Sequence, residues 1–253
     1  MHRSFQWAVL LVFVVVCSFI IKDEQNLSVV FIGDSITVGS VPRVQSPPRF
    51  AGEYLQQQRG IGKVKVANAG ISGYTTFNFL PGSSTYEKVK LAADTIQANT
   101  NATLIFSIML GTNDSAIKGP LGAPLTPANY RANLKTITDS LMARYPYCRV
   151  IINYPIWYSD STANGHSSYL KAGQERVLLY QKQIDTLTNL YKKARPQRVF
   201  LGDKKAYQYF KENYLTDFKE QKGPSGVYYL HPNQKGDKAL GEFWAKSILR
   251  SLK

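Results

Sequence analysis

Val29-Val30-Phe31-Ile32-Gly33-Asp34-Ser35-Ile36 is the stretch whose reading decides the fold. A short apolar run rich in β-branched residues and closed by glycine reads as an interior strand of a parallel sheet. Ligands of open α/β sheets bind outside the carboxyl ends of the strands, and Ser35 stands just past the end of this one. A serine placed there can serve as a nucleophile. It can equally do no more than cap the following helix through its hydroxyl, so the surrounding pattern has to discriminate.

Outward from this strand the pattern is regular. Further strands are expected through Val64–Ala67, Leu104–Leu110, Val150–Tyr154 and Val199–Leu201. Between them lie helical stretches at Phe50–Gln57 and Tyr86–Ala98. Another opens at Thr126-Pro127, a cap followed by a first-turn proline, and continues with Tyr130, Leu134, Ile137 and Leu141 at helical spacing. Val177, Tyr180, Ile184, Leu187 and Tyr191 mark a fourth, and Leu240, Phe243, Trp244 and Ile248 a closing one. The chain from Pro155 to about Ala172 reads as a loop. Strands alternating with helices imply right-handed parallel crossovers and a sheet covered on both faces.

Of 253 residues, 44% are hydrophobic, enough for one full core, and a single domain over residues 25–253 is expected. Residues 1–24 differ in kind: an apolar run from Trp7 to Ile21 follows His2 and Arg3 and ends at Lys22-Asp23-Glu24. The run is shorter than the roughly 20 residues of a bilayer crossing. It reads as a signal peptide, or as an uncleaved anchor since no Ala-x-Ala site follows. The expected location is secreted or periplasmic, with membrane contact only through an uncleaved or lipidated N-terminus. Cys17 is a poor match to a lipid attachment site. Cys148 is then the only thiol of the mature domain and reads as buried and structural. No His, Cys or carboxylate cluster has metal-ligand spacing, so neither metal nor cofactor is expected.

The formal net charge is +14. Such a field attracts nucleic acid, anionic lipid or acidic polysaccharide alike. The Lys and Arg residues are scattered in runs no longer than two, and no nucleic-acid module is visible, which excludes DNA or RNA as the expected partner. An acidic glycan suits a secreted chain better.

Three more polar clusters fall at the carboxyl edge of the sheet. The second strand runs into Asn68-Ala-Gly-Ile-Ser-Gly73-Tyr74, the third into Gly111-Thr-Asn113-Asp114, and a late loop carries Tyr228-Tyr-Leu-His231-Pro-Asn233. Singly, Gly73 reads as a turn, Asn113 as a cap and His231 as a packed side chain. Together with Ser35 they supply a nucleophile, oxyanion donors and a general base.

These four blocks resemble those of the SGNH hydrolases, also called GDSL esterases and lipases: Gly33-Asp34-Ser35-Ile36, Gly73, Gly111-Thr-Asn113-Asp114 and His231-Pro-Asn233. The resemblance covers nearly the whole chain from Val29 onward. It implies an α/β fold, a flavodoxin-like three-layer α/β/α sandwich with a five-stranded parallel sheet. It also implies that Ser35 attacks an ester carbonyl and His231 takes its proton. The backbone amides of Ser35 and Gly73 and the side-chain amide of Asn113 would hold the oxyanion. No Gly-x-Ser-x-Gly elbow of the other common serine-esterase fold occurs.

One departure stands out. The family usually has an aspartate three residues before the histidine, and here that position is Tyr228. A backbone carbonyl orienting His231 is the favoured reading, with Asp203, Asp217 and Glu220 as candidate replacement carboxylates. The activity is then expected to rise with pH through an ionisation near 6.5, or lower where no carboxylate partners the ring. Tyr74, Asn153 and Trp157 are candidate substrate-binding residues, because aromatic and amide side chains suit sugar rings. The Trp157-Tyr158 pair and the loop after it also resemble secreted carbohydrate acetylesterases of the family. An acetylated glycan is the expected substrate. Alternatives are a short-chain acyl or lysophospholipid esterase, and a catalytically silent glycan-binding module.

Overall fold

Strand β1 (Gln25–Gly33) lies inside the sheet, its last seven residues buried without a break. The computed structural model describes residues 24–253, so the expected leader lies almost wholly outside the described residues. After β1 come α1 (Ser35–Val38), α2 (Pro47–Gln56), β2 (Ile61–Asn68), α3 (Ser84–Gln97) and β3 (Thr103–Met109). The chain continues through α4 (Pro127–Arg144), β4 (Arg149–Ile152), α5 (Leu170–Ala194) and β5 (Val199–Leu201). It ends with α6 (Ala206–Asp217), a hairpin of β6 (Gln221–Gly223) and β7 (Gly226–Tyr228), and α7 (Gln234–Ser251). The five main strands pair in the order β2-β1-β3-β4-β5, all parallel. This is the flavodoxin-like order, and its reversal point lies between β1 and β3.

Side-chain alternation along the strands builds two cores. Val30, Ile32, Phe106, Ile108, Val150 and Ile152 pack against Val89 of α3, Leu134 and Ile137 of α4, and Tyr180 and Ile184 of α5. Leu27, Val29, Phe31, Ile105, Met109 and Ile151 face the other way, onto Ala51 and Leu55 of α2 and Leu240, Trp244 and Ile248 of α7. Period-two strands between two helical layers give this division directly. Helix starts follow their side chains: Ser83 accepts from the Tyr86 N–H, Thr126 from that of Asn129, and Asn233 from that of Gly236.

Two elements were not expected from the sequence. Helix α6 is aromatic-rich but buries only Ala206, Phe210 and Asp217, so its periodicity is faint. The β6–β7 hairpin has three-residue strands in which only Tyr228 is buried. Cys148 is free and buried, as the sequence suggests. Among the described residues no helix is long and apolar enough to cross a membrane, and no His/Cys/Asp/Glu cluster could hold a metal.

Candidate active site

Ser35 opens α1 directly after β1. Asp34, the residue between, caps that helix by accepting the Ile36 N–H through Oδ1 at 2.9 Å. The other three blocks converge on it from separate connections. Asn68 turns its side chain back to the Thr37 carbonyl and the Gly70 N–H, folding the loop after β2 toward α1. That loop reaches Gly73, whose φ of 78° lies in the left-handed region that glycine enters without strain. Among the described residues neither the Ser35 N–H nor the Gly73 N–H has an acceptor within the protein. Both remain available as donors.

Asn113 follows β3 and is almost wholly buried. Its Nδ2 donates to the Tyr74 carbonyl at 3.0 Å, and its Oδ1 accepts from the Tyr169 hydroxyl at 2.6 Å. The carbonyl, which can only accept, fixes which end of the amide is nitrogen, leaving the second Nδ2 hydrogen free. Asp114 ties the two loops together by accepting the Thr76 N–H at 2.9 Å. Asn113→Ala is therefore expected to lower kcat on the order of 10²–10³, the cost of one oxyanion donor. Tyr169→Phe, which keeps the ring and loses the orienting hydroxyl, should cost about tenfold in kcat, by comparison with that loss. Steady-state kinetics on an activated acetate ester checks both.

His231 approaches from the opposite side. Asn233 caps α7 and also donates to the Thr216 and Phe218 carbonyls. Asp237, one turn into α7, accepts the Ser40 N–H at 2.6 Å and so joins the histidine's helix to the loop after α1. Imidazole Nε2 then lies 2.9 Å from Ser35 Oγ, and Nδ1 lies 3.0 Å from Gln221 Oε1. Burial, together with the Lys219 ammonium, lowers the His231 pKa to about 4. The ring is thus neutral at lower pH than the sequence suggests.

The family-model comparison matches residues 31–239 to the GDSL-like lipase/acylhydrolase family. The chain belongs to that family. Among solved structures, this GDSL protein is similar to an aryl esterase of M. smegmatis, at 17% identity and TM-score 0.60, covering 90% of this chain and 100% of that one. A carbohydrate acetylesterase from Sinorhizobium meliloti gives 18% identity, TM-score 0.60 and coverage of 88% and 99%. A lipase/acylhydrolase from Enterococcus faecalis gives 22%, 0.53, and coverage of 88% and 95%. No curated protein matches the sequence. The family match bears out the expected esterase family, and the structural likenesses, at such identities, bear out the fold alone.

Several expectations need correction. Asn153 is buried, donating to Ser107 Oγ and accepting the Asp203 N–H, so it braces β4 and its neighbours instead of facing a substrate. Trp157, 8% exposed, packs against Tyr214 and Phe218 in the core. Apolar contact outweighs sugar stacking for a residue so placed. Tyr74 is half-buried beside Gly73 and edge-on to Phe79. Tyr228 points into a cluster with Tyr158, Tyr169 and Leu230. Asp203 caps α6 and Asp217 pairs with Lys235, and no bond links either of them, or Glu220, to the ring. The ring is held by a side-chain amide, not by the expected backbone carbonyl.

Burial raises the pKa of Asp34 to about 7, and of Asp114 and Asp237 to about 6. A carboxyl raised in the folded state binds its proton there more tightly than in the unfolded chain. Its contribution is complete below about 3.9 and is lost as pH rises through the folded value. His231 runs oppositely, losing stability as pH falls from about 6.5 toward 4. Three carboxyls outweigh one imidazole above pH 5. The Tm is therefore expected to fall between about pH 5 and 8, checked by scanning calorimetry across buffers.

Proposed function

We propose that this GDSL esterase removes O-acetyl groups from carbohydrates through a Ser35 acyl-enzyme. The observation that carries the reading is the 2.9 Å contact between Ser35 Oγ and the neutral His231 ring. In acylation, Ser35 Oγ bonds to the acetyl carbon while its proton passes to Nε2. The carbonyl electrons move onto oxygen, opposite the Ser35 and Gly73 N–H groups and the Asn113 amide. Collapse breaks the bond to the sugar oxygen, which takes the proton back from Nε2. Water then repeats the sequence, releasing acetate and restoring Ser35.

A small cavity with Ser, Lys and Asp side chains in its wall supports a sugar alcohol on the leaving side. It measures about 210 Å³ and is lined by Ser35, Ser40, Pro42, Lys219, His231 and Asp237. Ligand pockets for larger molecules run to about 300–1,000 Å³. The wall includes His231 but neither Gly73 nor Asn113, and His231 is the group that must protonate the leaving oxygen. The +14 charge favours acidic glycans, and the N-terminal run supports export, with membrane contact only if it is retained or lipidated. Tyr74, half-buried beside Gly73, is the candidate substrate contact.

A second reading has its own observation. Phe77 and Leu121 are 48% and 66% exposed on neighbouring loops next to the oxyanion donors, where an apolar acyl chain would lie. Acetate release from acetylated xylan and pectin, compared with fatty-acid release from lysophospholipid, separates the two. Faster acetate release supports the proposal. Preferential fatty-acid release replaces it, and glycan binding without turnover would indicate a silent binding module.

A further inference from the structure

We propose that Gln221 is the positioning residue of the base, giving a charge-neutral Ser35–His231–Gln221 relay in which an amide oxygen stands where esterases of this type carry a carboxylate. The inference rests on the esterase reading above. It begins with the hairpin, whose register sets Gln221 opposite Tyr228. The pairing continues beyond the hairpin, with Phe218 against Pro232 and the Lys219 N–H donating to the His231 carbonyl at 2.9 Å. Lys219 and Gln221 are two residues apart on this extended segment, so both side chains lie on the side facing the imidazole. Tyr228, at the usual aspartate position, anchors the hairpin by burying its ring with Ala116, Tyr158, Tyr169, Val177 and Leu230. The anchor and the orienting group have thus separated: one sits in β7, the other across from it in β6.

The chemistry follows from the atoms. An amide oxygen accepts one hydrogen from Nδ1, which leaves the Nε2 lone pair directed at Ser35 Oγ 2.9 Å away. The reversed amide would present N–H to Nδ1 and leave Nε2 protonated, unable to accept the serine proton. Gln221 therefore secures the active tautomer. It supplies no negative charge for the imidazolium formed during acylation, the role a carboxylate plays. The charged groups around the ring are Lys219 on the same strand and Asp237 on α7, which lines the same cavity, with Asp34 behind Ser35 and Glu220 next along the strand. Lys219 and burial both oppose protonation. The result is a base that stays neutral in acid, at some loss in peak rate.

The experiment uses Gln221→Glu, Gln221→Ala and the wild type, with pH profiles of kcat/KM on phenyl acetate and ¹⁵N NMR of the free protein. Gln221→Glu, nearly isosteric, should move the acid limb up by at least about one pH unit, because a carboxylate beside the ring favours its protonated form. Gln221→Ala should lower kcat at least tenfold with KM changed less than threefold. The wild-type ring should show hydrogen on Nδ1, and Gln221→Ala should mix the tautomers. An unmoved limb in Gln221→Glu, or hydrogen on Nε2 in the wild type, overturns the proposal. The tautomer is read without substrate, so failure of the positioning role and failure of the esterase reading give different results.

Discussion

Ser35→Ala is expected to lower kcat/KM for an activated acetate ester by at least about four orders of magnitude, and to abolish labelling by a fluorophosphonate. The size follows from the chemistry. Without Oγ no acyl-enzyme forms, and the remaining donors can assist only a direct attack by water. The fold should survive, because among the described residues the hydroxyl's only hydrogen-bonding partner is His231. The α1 cap belongs to Asp34, which the substitution leaves in place. Circular dichroism and Tm provide the folding check. Undiminished labelling in the folded variant would remove Ser35 from the mechanism.

The second large effect concerns the base. His231→Ala should cost a comparable factor, since nothing else lies within hydrogen-bonding distance of Ser35 Oγ among the described residues. The wild-type profile adds a sharper test. Activity requires neutral imidazole, which is lost as pH falls through about 4. kcat/KM should therefore be flat from about pH 5 to 8 and fall tenfold per unit below the limb. A group with an ordinary value near 6.5 would instead halve the rate at that pH. His166→Ala is the control: this exposed residue sits in the loop before α5, and its variant should keep the same limb. A wild-type limb near 6.5 would show that the ring is more solvated than its burial implies.

Acidic conditions recur on the stability side. Asp34, Asp114 and Asp237 all hold protons in the folded state at pH values where ordinary carboxyls have lost them. Each also links two parts of the site: Asp34 the strand end to α1, Asp114 the two oxyanion loops, Asp237 the loop after α1 to α7. Protonation removes the cost of a buried charge while leaving one oxygen to accept a hydrogen bond. A base that is active at pH 5 and a scaffold that is more stable there than at pH 8 are compatible demands on one active site.

The sequence by itself determined the parallel sheet, because buried strands in a doubly covered sheet must be apolar on both faces and Val29–Ile32 is. It also brought out Ser35, Gly73, Asn113 and His231, since each lies just past a strand end or in a loop whose polar residues have no core to fill. Proximity was not legible in the same way. Ser35 and His231 are separated by 196 positions and meet only through the packing of α7 and its Asp237 contact with Ser40. Asn153 and Trp157 illustrate the limit: an amide or an indole has the same sequence signature in a binding loop as in the core, and only burial tells them apart. Gln221 carried no signal at all. It is an ordinary polar residue in a short, half-buried strand, and its relation to His231 exists only because the chain pairs antiparallel from Phe218 to Pro232. Local pattern therefore fixed the elements and the polar strand ends, while long-range pairing decided what His231 meets and which of the candidate residues are buried.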